Sequence, residues 1–323
     1  MSRILVVGAG GIGTASAVHL LAAGHDVIVA TRSGEPGRDP LAGAHGLALD
    51  ATDAAALTRA TRGCDALVNA VNPPQYTRWE RDWPPLAAAF LEAAQATGAG
   101  LVTVSNLYGY GQVTAPMTEA TPLRPNGSKG RVRAAMWEEA LAAHEAGRLR
   151  ATEVRASDYF GPGARSGVSM LNRFVIAPAA RGRTARLVVG VPDAPHSWTY
   201  LADIGALVAT LATDDRAWGR PWHVPTAPPR TMAQVAADVA GLCGIPAPTV
   251  RPLPGAVRAA MRVIPLIREL DETRHQFERP FVLDSRAATA TFGLAATPWR
   301  GALAATLAHG EVGTTTVAAG SPR

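Results

Sequence analysis

The chain has 323 residues, 47% of them hydrophobic and 18% charged, and a formal net charge of +5. That length allows one large or two modest domains with full cores, and the composition excludes a disordered chain. No apolar run reaches the ~20 residues of a membrane span, and the arginines are scattered rather than clustered with aromatics, so neither a membrane nor a nucleic acid is expected as a partner.

The elements follow in chain order. RILVVGA reads as a buried strand and TASAVHLLAAG as the helix after it, ended by Gly24. DVIVATR is a second strand, and DAAALTRATRG a short helix with Asp53 at its N-cap. DALVNAV is a strand, and WPPLAAAFLEAAQATG a helix with Pro at its start and Gly98 at its end. LVTVSN, GRVRAAMWEEALAAHEAG and LRATEVRAS give strand, long helix, strand. HSWTYLADIGALVATLAT is a strand and then a helix that Asp203 would cap; PWHVP is a short strand; TMAQVAADVAGLCG is a helix opened by Thr231. Strands alternating with helices predict an α/β fold, a doubly wound parallel Rossmann sheet with helices on both faces. A smaller C-terminal substrate lobe completes it: residues 1–158 plus about 196–226 form the cofactor domain, and 159–195 plus 227–323 the lobe.

The turn after the first strand is Gly8-Ala9-Gly10-Gly11-Ile12-Gly13. Its first glycine permits a tight turn, its second lets the backbone approach a pyrophosphate, and its third lets strand and helix pack closely. The helix start then offers free N–H groups to the phosphates. A strand before, a helix after and a second strand ending about 20 residues on supply the context that makes the pattern a dinucleotide site. At the end of that second strand an acidic residue would take the ribose 2′-hydroxyl of NAD. This chain has Thr31-Arg32-Ser33 instead, and Arg32 with Ser33 suits a 2′-phosphate. NADP(H) is therefore expected over NAD(H). Cys64 and Cys243 lie far apart with no metal-ligand spacing, and the first residues lack a signal-peptide pattern. A reduced cytoplasmic protein without a metal site is expected.

The order VVGAGGIG, ALDATD, DALVNAV, VSNLYGYG, VRASDYFGPG and SWTYLADIG resembles the short-chain dehydrogenase/reductase superfamily, most of all its extended branch of NAD-dependent epimerases and dehydratases. The resemblance implies that Asp50 and Ala51 flank the adenine and that Ala70, Val71 and Asn72 line the cofactor's middle. It implies that Ser105 lies beneath the nicotinamide and that Ala156 and Ser157 face its carboxamide. It also implies a homodimer through the helices at 84–97 and 130–147.

In this superfamily hydride chemistry rests on Ser/Thr, Tyr and Lys, the last two spaced Tyr-x-x-x-Lys. Here the Tyr position falls on Lys129, the Lys position on Arg133 and the Ser/Thr position on Asn106, so the usual set is absent. Lys129 is the only lysine among 31 Lys plus Arg residues. An ammonium can shift its pKa and carry a proton where a guanidinium cannot, which makes Lys129 a candidate for proton transfer and for contact with the cofactor. Its cationic neighbours Arg131 and Arg133 would favour that role. Tyr108 or Tyr110, in the loop at the strand's C-terminal end, is a second candidate. A third reading is a cofactor-binding sensor without redox turnover.

Nucleotide-sugar members of the branch carry an arginine for the substrate diphosphate, and that position here is His196. A small, weakly polar organic substrate is expected instead, with Tyr108, Tyr159, His196 and Trp198 near it and Trp79 and Trp83 as further aromatic candidates. The activity expected is NADP(H)-dependent oxidation or reduction of a carbonyl, hydroxyl or activated double bond. The alternatives are an epimerase or dehydratase that recycles its cofactor internally, and the sensor.

Overall fold

The structure, a computed structural model, describes residues 1–35, 40–164, 169–261, 263–264, 267 and 269–309. Its elements are β1 (Arg3–Val7), α1 (Gly11–Ala22), β2 (Asp26–Thr31), β3 (His45–Ala48), α2 (Ala54–Thr61), β4 (Ala66–Asn69), α3 (Trp79–Thr97), β5 (Gly100–Asn106), α4 (Ser128–Glu145) and β6 (Ala151–Ala156). They continue with β7 (Tyr159–Phe160), α5 (Ala177–Ala180), β8 (Ala185–Leu187), β9 (Thr199–Tyr200), α6 (Leu201–Leu211), β10 (Pro221–His223), α7 (Met232–Cys243) and β11 (Val250–Pro252). Seven strands form one sheet in the order β10-β6-β5-β4-β1-β2-β3, every pair parallel. The strand order reverses between β1 and β4, which opens a crevice at their C-terminal ends where ligands of such sheets bind.

Period-two alternation explains why both faces are covered. In β1, Ile4 and Val6 join the core beneath α1 and α6, while Leu5 and Val7 join the core beneath α2, α3 and α4. Strands buried on both sides read as unbroken apolar runs, as RILVV does. A third apolar cluster lies apart from these two. It gathers Phe160, Val175, Leu187, Trp198, Val235 and Phe277 with their neighbours, and two short parallel pairs, β8 with β11 and β7 with β9, border it. From the 227–323 stretch, helix Arg286–Phe292 packs back on the sheet: Ala288 joins the α1/α6 core, and Phe292 meets Trp222 at 4.6 Å between ring centroids. Residues 310–323 lie outside the described residues.

Two local expectations need correction. Helix α3 begins at Trp79, not at the prolines, so Pro84 and Pro85 sit inside it. Prolines there remove backbone hydrogen bonds at a cost of about 3 kcal/mol or more. Trp79 and Trp83, one turn apart, edge to face and both fully buried, anchor the extra turn and offset that loss. Asp203 does not cap α6; Tyr200 holds that position, and the buried Asp203 carboxylate accepts from the backbone N–H and hydroxyl of Thr297 (2.9 and 2.6 Å), tying a distant loop to the helix. Asp53 does cap α2, accepting from the Ala56 N–H at 2.9 Å. Thr231 and Gln234 form a reciprocal capping box on α7.

Candidate active site and cofactor groove

The glycine turn joins β1 to α1 at the crevice. Gly8 adopts φ +105°, and a Cβ there would fall 2.9 Å from the Ala70 carbonyl oxygen. A Cβ on Gly13 would fall 1.8 Å from the Gly8 carbonyl oxygen, so no side chain fits between strand and helix. A Cβ on Gly10 would meet nothing within 4 Å, so the outer side of the turn stays open. Gly10 is also the N-cap of α1 and brings no side-chain cap, which leaves the N–H groups of Gly11, Ile12 and Gly13 for an anion. This cradle fits a dinucleotide pyrophosphate.

Beyond the turn, Ala70 and Val71 border Gly8, and the Ala70 N–H bonds the Val7 carbonyl at 3.1 Å. At the end of β2, Arg32 and Ser33 are exposed, and the Thr31 and Ser33 hydroxyls lie 3.4 Å apart. Asp50 accepts from the N–H and hydroxyl of Thr52 (3.0 and 2.8 Å). These bonds, with the Arg32 charge, hold its carboxyl below the usual range. Asp50 thus builds the turn that Ala51 enters, and it faces Arg32. At the far end, Ser105 on β5 pairs in register with Arg155 on β6, and Ala156 and Ser157 close β6.

The N-terminus of α4 holds an arrangement the sequence did not disclose. Lys129 is 1% exposed, and its ammonium is bonded by the carboxylates of Glu269 and Glu272 and lies over the Tyr76 ring at 4.6 Å. Its polar neighbours are these carboxylates rather than the expected arginines. Glu272 also accepts from the backbone N–H groups of Lys129 and Gly130 (2.8 and 3.2 Å) and so caps the helix from 143 residues away. Gly127 leaves the room for it, since a Cβ there would overlap the Glu272 side chain.

One turn on, the Arg133 guanidinium is buried against Trp79 and Trp83, its centre 4.9 and 4.1 Å from their rings. It donates long hydrogen bonds to the Val104 carbonyl (3.4 Å) and the Asn72 side chain (3.5 Å), and burial lowers its pKa. Trp79 and Trp83 are therefore core residues that seat Arg133. The Asn106 side chain accepts from the Tyr108 N–H at 3.0 Å and shapes the loop that presents Tyr108. Burial raises the Tyr108 pKa well above its ordinary value, with the charge of Asp158 and the neighbouring Tyr76 adding to the shift. Tyr110 turns away into the interior. Its hydroxyl bonds Arg155 and His223 at 2.7 Å each, in a buried chain that begins at Glu153.

His196 is 1% exposed, its ring 4.1 Å from Trp198 in a tilted contact and stacked 5.1 Å from Phe277. Its Nε2 lies 3.0 Å from the carboxylate of Asp158, the residue after Ser157. Burial and the Asp158 charge together push the Tyr159 phenol up to about 12. Asp158, Tyr76 and Glu272 were absent from the sequence-based candidates. The place of Asp158 directly after the last β6 residues was a usable signal; nothing local pointed to Glu272. Met170, Phe174, Val175, Leu187, Trp198 and Met232 line a small apolar cavity beside this region. Among the described residues no group of three metal-ligating side chains forms, and no helix is long and apolar enough to cross a membrane.

Comparison with known proteins agrees with this geometry. The model of the NAD dependent epimerase/dehydratase family matches residues 4–224. No curated protein matches the chain. Among solved structures, a dTDP-glucose 4,6-dehydratase from Bacillus anthracis in complex with NAD superposes with a TM-score of 0.77 at 17% identity, covering 96% of this chain and 97% of that one. A putative epimerase from Burkholderia cenocepacia gives 0.76 at 21% identity, covering 95% and 97%. A UDP-glucose 4-epimerase from Thermotoga maritima with UDP-glucose gives 0.75 at 17% identity, covering 95% and 98%. These likenesses establish a shared fold, and the family match goes further: the chain belongs to the NAD-dependent epimerase/dehydratase family of enzymes.

Proposed function

We propose that the chain is an NADP(H)-dependent oxidoreductase acting on a carbonyl, hydroxyl or activated double bond of a small, weakly polar organic molecule. The observation that carries the cofactor choice is Arg32, exposed at the end of β2 and facing Asp50, with no ion pair of its own among the described residues. Gly8, Gly10 and Gly13 with the start of α1 would hold the pyrophosphate, and Arg32 and Ser33 the 2′-phosphate. When bound, the nicotinamide supplies or accepts a hydride.

On the substrate side, the Lys129 amine is enclosed by Glu269 and Glu272 and offers no open side to a ligand, so proton transfer is assigned elsewhere. The Tyr108 phenol keeps its proton because burial raises its pKa, which suits it to donate a hydrogen bond to a substrate oxygen. The apolar cavity beside Trp198 and the His196 ring favour a substrate without a diphosphate. A homodimer through α3 and α4 belongs to the same proposal and is read by sedimentation.

The test is binding of NADPH and NADH by calorimetry, before and after Arg32→Ala. Hydrogen bonds to a charged group contribute about 1.5–3 kcal/mol, so NADPH affinity is expected to fall about 10- to 150-fold while NADH affinity changes little. Equal affinity of the unmodified protein for both cofactors would end the NADP(H) assignment. A second reading, an epimerase or dehydratase that recycles its cofactor, draws on the activities named for the Bacillus and Thermotoga structures. It predicts product formation with no net loss of NADPH absorbance.

A further inference from the structure

The protons on His196 can be counted from its partners. Its Nδ1 lies 2.9 Å from the Gln276 carbonyl oxygen, which can only accept, so Nδ1 carries a hydrogen. Its Nε2 lies 3.0 Å from Asp158 Oδ2 and 3.3 Å from the Ser157 hydroxyl. If Nε2 were bare and took the Ser157 hydrogen, its lone pair would face that of a carboxylate oxygen at 3.0 Å, a repulsive contact against a buried ring. A hydrogen bond between Nε2 and Oδ2 removes the repulsion and requires one proton shared by the pair. Single backbone bridges from His196 to Arg230 and to Phe281, stacking on Phe277 and a tilted contact with Trp198 fix the ring. The imidazole side chain is 2% exposed and the Asp158 side chain 20%, so the proton's outlet is the carboxyl.

The outlet opens on the site. Asp158 follows the residues that close β6, and its charge reaches Tyr76 after β4, Tyr108 after β5 and Tyr159 beside it. Asp158 thus stands just past the C-terminal end of β6, and its charge adds to the upward pKa shift of three phenols. The other charged groups near these tyrosines are accounted for: Lys129 is held by Glu269 and Glu272, and Arg133 faces Asn72 and Val104.

We propose that Asp158 and His196 form the acid–base pair of this enzyme, with Asp158 the catalytic residue and His196 the group that stores its proton and positions it. The assignment rests on the oxidoreductase reading above. In reduction, with a hydride supplied to the carbonyl carbon by the bound nicotinamide, the substrate oxygen, held by the Tyr108 hydroxyl, would take the proton shared by Oδ2 and Nε2. One C–H and one O–H bond form, the C=O bond becomes C–O, and the pair is left as a carboxylate and a neutral imidazole that regains a proton from water. Oxidation of an alcohol runs the same steps backward.

The test uses the NADPH-loaded protein and two readouts. Nitrogen-15 NMR of the histidines should show hydrogen on both ring nitrogens of His196, with the Nε2 hydrogen shifted downfield and lost in Asp158→Asn. A bare Nε2 in the unmodified protein overturns the proposal. The second readout is NADPH oxidation with benzaldehyde and cyclohexanone as probes. General acid–base catalysis contributes about 10²–10⁴-fold, so Asp158→Asn should lower kcat by that factor at unchanged NADPH affinity and remove one limb of the pH profile. His196→Asn should shift that limb without abolishing turnover. A loss below tenfold in Asp158→Asn, or an unchanged pH profile, overturns the proposal. Absence of NADPH binding or of any turnover by the unmodified protein is a separate failure: it removes the oxidoreductase reading and the catalytic role with it, while the proton shared by His196 and Asp158 would remain visible by NMR.

Discussion

At the β1–α1 turn the architecture is carried by backbone: four glycines, a bare helix start and an open outer face, all within six residues of chain. At the start of α4 it is carried by side chains brought from afar, Lys129 meeting Glu269 and Glu272 across 140 and 143 residues. The first end depends on what is missing, since any Cβ at Gly13 would strike the Gly8 carbonyl. The second depends on what is matched, since a buried amine needs its carboxylates. A backbone site tolerates no change at its closest approach and leaves its signature in local spacing. A side-chain site can be rebuilt by paired changes and leaves almost no local signature.

The sharpest way to break this contrast is a pair of alanines in the turn. Gly13→Ala should abolish measurable NADPH binding by calorimetry and lower Tm, because backbone must move to admit the methyl group; strain of this kind costs about 1–3 kcal/mol or more. Gly10→Ala should leave Tm unchanged and still weaken NADPH binding, because its methyl group meets only the open face. If both variants behave alike, the turn is not divided into a packed side and a ligand side.

Next in size is the ion pair at α4. Lys129→Met removes the cation between two carboxylates, and breaking a buried pair costs about 3–5 kcal/mol. The lower end is expected in a urea titration, because the Glu269 and Glu272 side chains keep 26% and 16% exposure. Adding Glu269→Gln and Glu272→Gln to Lys129→Met should restore most of the loss. Simple additivity of the three changes would show that the groups do not act as a unit.

The smallest effect sharpens the role of the buried chain from Glu153 to His223. The Nδ1 of His223 lies 2.9 Å from the Asp284 carbonyl oxygen and its Nε2 2.7 Å from the Tyr110 hydroxyl, and burial lowers its pKa from the ordinary 6.5. Below about pH 6.5 the unfolded chain binds a proton there that the folded chain does not. The stability that neutral His223 contributes is therefore present above that pH and lost as pH falls, by about 1.4 kcal/mol per pH unit until the folded-state pKa is reached. His223→Gln should be less stable at pH 8 and show a shallower decline between pH 6.5 and 5. Parallel stability curves would mean that His223 does not titrate as described.

Much of the fold was legible in the sequence because its signals are local. The apolar runs of β1, β4 and β5 and the caps at Asp53 and Thr231 each occupy a few consecutive residues. Strand β3 was not legible: His45–Ala48 is mostly exposed, has no apolar run and exists because β2 offers it an edge. The start of α3 was misplaced because local propensity stops at Pro84, whereas the buried Trp79 and Trp83 lie before it. The glycine turn after β1 and the place of Arg32 directly after β2 were readable from spacing alone. The lone Lys129 was conspicuous by composition, but its partners were not, since Glu269 and Glu272 stand in a charged stretch that reads as an ordinary solvated surface. Asp158 and His196 are 38 residues apart, and only the pairing of β7 with β9 and the bond from the Thr199 N–H to the Asp158 carbonyl bring them together.

The burial of Lys129 also turns the chain into its own gauge. A reagent that acylates side-chain primary amines has one target in the whole sequence, and that target lies behind the 269–272 segment. Modification can proceed only during excursions that lift this segment from α4. The rate of acylation at Lys129 itself, read on the peptide that carries it, therefore clocks the opening of the molecule at that point.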